Sequence, residues 1–247
     1  MIHKILQTSK KIARKILRSS SPMTVEKAEQ TFYINYLKEG MTAFDVGANV
    51  GEVSLLFSRF VGKTGTVHAF EASSSVFKKV SEVFKLTNHT EISLNHNAVA
   101  DKRGLLKLHV YDDEHSGWNS LANRPLENYG IDMKPVCIEE VESIIIDEYC
   151  AENNISQIDL LKIDVEGAEY QVLLGARRML ESKSICCCVF EFGQTTFDMG
   201  NTPQEIESYL KEVGYSLKNI VKGDPIFPGR SSVSKAQFSV HVATPKK

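Results

Sequence analysis

Ala43-Phe44-Asp45-Val46-Gly47-Ala48-Asn49-Val50-Gly51 is the stretch whose reading decides the fold. It reads as a buried strand that breaks into a glycine turn and then into a helix. Met41 to Val46 is a short, mostly apolar run of the length a buried parallel strand needs. Gly47 and Gly51 bracket the turn, where a side chain would block a close backbone approach or a positive φ. Val50, Val53, Leu56, Phe57 and Phe60 then recur near helical spacing. Strand, turn and helix in this order predict a cofactor crevice at the carboxyl edge of a doubly wound α/β sheet.

The turn also separates cofactors. A dinucleotide fingerprint, G-x-G-x-x-G, starting at Gly47 needs glycine at 49 and 52, where the chain has Asn49 and Glu52. That counts against the rival reading, a nicotinamide-dependent oxidoreductase. Asp45, at the strand end, is expected to face the ligand with a carboxylate. A pyrophosphate would resist that charge, whereas the amino and sulfonium groups of S-adenosyl-L-methionine suit it. A second strand, Val67-His68-Ala69-Phe70-Glu71, ends in an acid placed to accept hydrogen bonds from ribose hydroxyls. A third strand is expected around Ile92 to Ala100. At its end Asn97 and Ala98 meet an adenine ring, or else Asn97 is a turn residue bonding its own backbone.

Ile158-Asp159-Leu160-Leu161-Lys162-Ile163-Asp164-Val165-Glu166-Gly167-Ala168-Glu169 is the second chemical stretch. An apolar strand ends in Asp164, and Glu166 and Glu169 fall in a first helical turn, where acids suit the dipole. Lys162 reads as structural, paired with a nearby acid. Ile185 to Phe192 is a further strand, with Glu191 near its end. Asp45, Asp164 and Glu191 thus end neighbouring strands. Such carboxylates can hold Mg²⁺, or bind a cofactor amine and a substrate hydroxyl; no metal is assigned. Residues 112–134 are the least regular part and contain the single tryptophan, Trp118. Long polar loops with an aromatic often cover a binding site. The base candidates, in order, are Asp164, His115 and Glu191.

Composition bounds the rest. A chain of 247 residues, 42% hydrophobic, suits one α/β domain over residues 22–247 with a short addition. The net charge of −2 gives no overall basic surface for nucleic acid. The first 18 residues nevertheless carry six cations and no acid, with Ile2, Ile5, Ile12 and Ile16 among them. Residues 1–21 therefore read as a basic amphipathic extension. Such a segment can be a plain helical addition, lie on an anionic membrane through residues 1–20, or serve as a transit peptide. Five cysteines, three of them adjacent at 186–188 in an apolar run, suit a reducing compartment better than disulfides or zinc. The expected location is cytoplasmic, with the extension at the inner membrane surface.

With these residues in hand, the chain resembles the FkbM-type family of S-adenosylmethionine-dependent methyltransferases. Phe44 to Gly51, Glu71, Asn97-Ala98-Val99, Leu161 to Glu169, Val172 to Ala176 and Glu191 carry the likeness. It implies a Rossmann-like class I fold: a seven-stranded, mostly parallel sheet with helices on both faces and its last strand antiparallel. It also implies methyl transfer to a hydroxyl of a sugar, glycolipid or secondary metabolite, a small-molecule or glycan acceptor. Asp45, Gly47, Asn49, Gly51, Glu71, Asn97 and Ala98 are expected to hold the cofactor. A non-catalytic membrane-associated binding protein is the remaining rival.

Overall fold

The computed structural model describes residues 24–246. The basic extension of residues 1–21 lies outside the described residues. The first helix, α1 (Val25–Tyr36), is capped by Thr24, whose hydroxyl accepts from the Lys27 N–H. It is followed by β1 (Thr42–Val46), α2 (Glu52–Val61), β2 (Thr66–Phe70), α3 (Ser74–Thr87) and β3 (Ile92–Asn95). Next come β4 (Ala98–Val99), β5 (Gly104–Val110), β6 (Cys137–Ile144), α4 (Ile146–Glu152) and β7 (Leu160–Ile163). The chain then builds α5 (Glu169–Gly175), α6 (Arg177–Glu181), β8 (Cys188–Phe192), α7 (Gln194–Asp198), α8 (Pro203–Glu212), β9 (Tyr215–Asn219) and β10 (Ser239–Pro245).

Seven strands form one sheet in the order β3-β2-β1-β7-β8-β10-β9. The pairs β2–β3, β1–β2, β1–β7 and β7–β8 are parallel. The last strand, β10, runs antiparallel to both β8 and β9. The sheet and its antiparallel last strand are those the resemblance implies. The strand order reverses beside β1, and a crevice forms outside the carboxyl ends of strands at such a switch point.

Strand alternation assigns the two faces. Phe44 and Val46 pack with α4, α5, α6 and α8 through Tyr149, Val172, Leu180 and Ile206. Ala43 packs on the other side with Tyr33 of α1 and Leu56 and Phe57 of α2. The expected third strand is broken. Ile92–Asn95 stays in the main sheet, while Ala98–Val99 pairs with β6 in a separate three-stranded sheet, β4-β6-β5. The helix after β7 is also broken, at Ala176. There Asp147 of α4 accepts from the N–H groups of Arg178 and Met179, capping the second segment from outside.

Gly47 and Gly51 both have φ of +80. A Cβ on Gly47 would lie 1.8 Å from the Asp164 carbonyl oxygen, so β1 and β7 close together only over a glycine. A Cβ on Gly51 would strike Val80 and Phe84 of α3, which makes that residue a packing glycine. Gly47→Ala is expected to cost at least about 2 kcal/mol of stability, from a left-handed backbone plus a backbone clash. Gly200→Ala, with φ +83 but nothing within 4 Å, is expected to cost only about 1 kcal/mol. Urea denaturation of the two variants checks this; equal losses would show that the close approach does not matter.

Candidate active site

A cavity of about 400 Å³ lies at the carboxyl ends of the parallel strands. Gly47 and Asn49 of the turn line it, with Glu71 and Ala72 after β2 and Asn97 to Val99 around β4. Ser116 to Asn119 of the irregular loop supply another wall. Asp164, Val165 and Glu166 after β7, Glu191 of β8 and Phe238 complete it. The cavity thus brings together Gly47, Asn49, Glu71, Asn97, Ala98, Asp164 and Glu191, from five separate segments.

Glu71 is fixed by backbone on both oxygens. Oε2 accepts from the Asn49 N–H at 2.8 Å and Oε1 from the Ser73 N–H at 2.8 Å. Asn49 holds a left-handed φ of 44, which turns its N–H toward that acid. Burial raises the Glu71 pKa to about 7, against the pull of those two N–H groups.

Three expected site residues lie elsewhere. Asp45 is fully buried and does not line the cavity. It shares the face of Ala43, toward α1 and α2, where the Ser54 hydroxyl donates to Oδ2 at 2.6 Å. Its Oδ1 lies 3.0 Å from Lys162 Nζ, an ion pair without well-aimed hydrogen-bond geometry. Asp45 therefore neutralises a buried lysine instead of facing a ligand. Gly51 is held in the α2–α3 packing described above. His115 is drawn to Asp112 (Nδ1 to Oδ1, 2.7 Å) and packs on the Trp118 ring, outside the cavity lining.

Lys162, expected to be structural, is a hub. Its ammonium also donates to the Gly47 carbonyl at 3.0 Å and stands 3.4 Å from Asp164 Oδ2. Burial opposes its charge, yet Asp45 and Asp164 hold its pKa above the usual lysine range.

Asp164, Glu166 and Glu191 each offer an oxygen within 4.8 Å of the others. The sequence had suggested Asp45 in such a group; Glu166 takes that place. Its backbone is left-handed, at φ 53, beside Gly167 at φ 112. That turn is stitched by Glu169, which accepts from the Val165 and Gly167 N–H groups. Burial, then the neighbouring Asp164 charge, raises Glu166 to about 8. Burial and the same neighbours push Glu191 well above the carboxylate range. Carboxylates with held protons donate hydrogen bonds as well as accept them.

The irregular loop is tied over this cluster. Arg124 reaches Glu166 Oε2 and Asp198 Oδ2, each at 3.3 Å, and lies 5.8 Å from the Trp118 ring centroid. Ser120 donates to the Glu166 carbonyl at 2.7 Å, and Tyr129 to Asp198 at 2.5 Å. Sequence reading gave Glu166 only a helix-dipole role and gave Asn119 and Arg124 none. The only signal was their place in two chemically rich segments.

A glycine turn from β1, an acid closing β2, acids after β7 and one near the end of β8, around one cavity on this seven-stranded sheet, define a class I S-adenosylmethionine-dependent methyltransferase. The family model described as "Methyltransferase FkbM domain" matches residues 45–217, and the chain belongs to that family. A relative, the 31-O-demethyl-FK506 methyltransferase FkbM of Streptomyces tacrolimicus, is 29% identical over 213 residues, 78% of each chain. The solved methyltransferase FkbM of Methylobacillus flagellatus superposes with a TM-score of 0.50 at 12% identity, covering 98% of this chain and 60% of that one. SMU.1697c of Streptococcus mutans, solved in complex with SAH, gives a TM-score of 0.50 at 9% identity over 91% of this chain and 99% of that one. The enzyme's cofactor is S-adenosylmethionine, and the nicotinamide and non-catalytic readings are overturned by the family match.

The raised carboxyl groups set a pH dependence. In the unfolded chain Glu71, Glu166 and Glu169 titrate near 4.5, and in the folded protein at about 7, about 8 and about 7. Between those values the folded state holds more protons, so stability falls as pH rises through the window. The urea midpoint of the ligand-free protein is expected to be higher near pH ~5 than near pH ~8.5, with Glu166→Gln flattening the slope. A midpoint that rises with pH would contradict it.

Proposed function

We propose that the enzyme methylates a hydroxyl of a sugar, glycolipid or secondary metabolite. The observation that carries this reading is the group of Asp164, Glu166 and Glu191 beside Trp118 and Phe238 in the cavity lining, with no lysine or arginine among the lining residues. Such a wall repels a phosphate or carboxylate acceptor and suits a neutral, hydroxylated one with an apolar body. The relative's printed name, a 31-O-demethyl-FK506 methyltransferase, supports an O-methylation of this kind.

The cavity suits the cofactor chemically. Glu71 presents fixed acceptor oxygens for a diol, Asn97 and Ala98 offer a polar group beside an apolar one, and buried acids favour a cation. When bound, S-adenosylmethionine supplies a methyl group activated by a positive sulfur. Asp164, with the Lys162 cation beside it, takes the acceptor's hydroxyl proton in this reading. Glu191 and Glu166 orient the acceptor by hydrogen bonds to its hydroxyl groups. Trp118 and the tied loop keep water from the reacting groups. The same reading takes residues 22–247 as one methyltransferase domain, with 112–134 over the acceptor.

Labelled-methyl transfer into glycan, lipid and metabolite extracts tests the acceptor class. Asp164→Asn is expected to slow transfer about 10²- to 10⁴-fold, the usual range for losing a general base. It should leave the Kd for S-adenosylhomocysteine within a few-fold. Transfer to an acidic product, or an unchanged rate, would refute the assignment. Glu71→Ala should instead weaken that Kd by about 1–3 kcal/mol, as ribose hydroxyls lose a charged partner; unchanged affinity would remove it from the cofactor site.

No helix among the described residues is long and apolar enough to cross a membrane. From sequence alone we place the enzyme in the cytoplasm, with residues 1–20 on the inner membrane surface. Sedimentation with anionic vesicles should then weaken with salt and disappear on deleting those residues. Equal binding by the truncated chain would dispose of this location.

A further inference from the structure

We infer that Asn119 binds the α-carboxylate of the cofactor's methionyl end. The inference rests on the cavity being the cofactor site. Asn119 lines that cavity from the irregular loop. Its Oδ1 accepts from the Tyr111 N–H at 2.8 Å. A backbone N–H can only donate, so the amide's orientation is fixed and Nδ2 points the other way. Nδ2 is buried and has no hydrogen-bond partner in the protein. Of the described side-chain atoms in that condition, Nδ2 of Asn119 belongs to the cavity lining and the rest do not. A buried donor left unmade costs about 1–3 kcal/mol, so a ligand that supplies its acceptor gains that back.

Charge selects the acceptor. The cavity is walled by Glu71, Asp164, Glu166 and Glu191, and its lining contains no lysine or arginine. The cofactor's ammonium and sulfonium groups suit such walls. Its α-carboxylate does not, and needs neutral donors turned toward it. The same loop reaches the glycine turn, where the Ser116 hydroxyl donates to Asn49 Oδ1 at 3.2 Å. Asn49 Oδ1 is thereby occupied, which leaves its amide NH₂ free to work beside that of Asn119. Loop and turn together make a neutral anion-binding corner in an acidic site.

The test pairs two ligands with one substitution. Asn119→Asp keeps an oxygen for the Tyr111 N–H and replaces the donor with a repelling charge. Titration calorimetry is run with S-adenosylhomocysteine, which carries the α-carboxylate, and with 5′-methylthioadenosine, which lacks the amino-acid end. The expected result is a Kd for S-adenosylhomocysteine raised about tenfold or more, with that for methylthioadenosine changed less than about twofold. Asn119→Ser, tested alongside, covers failure of the aspartate variant to fold, with a smaller loss in the same ligand only. Equal weakening of both ligands would place Asn119 on the nucleoside and overturn the inference, as would no weakening of either. Failure of the unaltered enzyme to bind S-adenosylhomocysteine would instead remove the cofactor site itself.

Discussion

A lysine buried between two strand ends sets the geometry of everything around it. Lys162 Nζ meets Asp45 Oδ1, the Gly47 carbonyl and Asp164 Oδ2 within 3.4 Å, and both Lys162 and Asp45 are buried. Two charges taken from water are tolerated only when each is compensated, and removing one partner from a buried pair typically costs about 3–5 kcal/mol. The pair is therefore a constraint more than a source of net stability. It fixes the end of β1 against the end of β7, where Gly47 has no room for a side chain over the Asp164 carbonyl. It also leaves one lysine to serve two carboxylates, of which only Asp164 reaches the cavity.

That arrangement explains the electrostatics of the site. No lysine or arginine lines the cavity, but Lys162 stands against Asp164 and Arg124 against Glu166, whereas Glu191 has no ion-pair partner among the described residues. Glu166 and Glu191 are raised by burial first and by the neighbouring Asp164 charge second. An acidic cavity of this type is a poor place for an anion and a good one for a sulfonium or an ammonium. It keeps the cost of desolvating several carboxylates low until a cationic ligand arrives. The same reasoning makes neutral amides, not arginines, the donors for the one anionic group the cofactor carries.

The sheet was legible because its signals are local: a glycine turn at a fixed spacing, apolar runs of strand length, acids at their ends. Glu71 was legible for the same reason, since its distance from the turn sets its place. Asp45 was misread because position along a strand says nothing about which side of it a residue faces. In an apolar run buried on both sides, the alternation that would reveal the side is hidden. Gly51 was misread because an α3 packing contact and a ligand contact ask the same thing of a residue, the absence of a side chain. The three-stranded sheet was invisible because β4 has two residues and its partner lies more than forty positions further on. Asn119 left no trace either: a single amide in a loop acquires meaning only when Tyr111 takes its oxygen.

The loop's role follows from how it is held. Among the described contacts it is anchored by charge and hydroxyl bonds at Arg124, Ser120 and Tyr129, with Trp118 and Arg124 stacked. Polar ties of this kind break and re-form at lower cost than the apolar contacts that also hold the segment at Ala122 and Leu126, both buried. One of the anchors, Glu166, also lines the cavity, and its backbone is kept in the left-handed region by the Glu169-stitched turn. A group that enters and takes up the Glu166 carboxyl must compete with Arg124 for it. Loop position and acceptor binding are therefore coupled through one side chain, and that coupling needs no movement in the sheet.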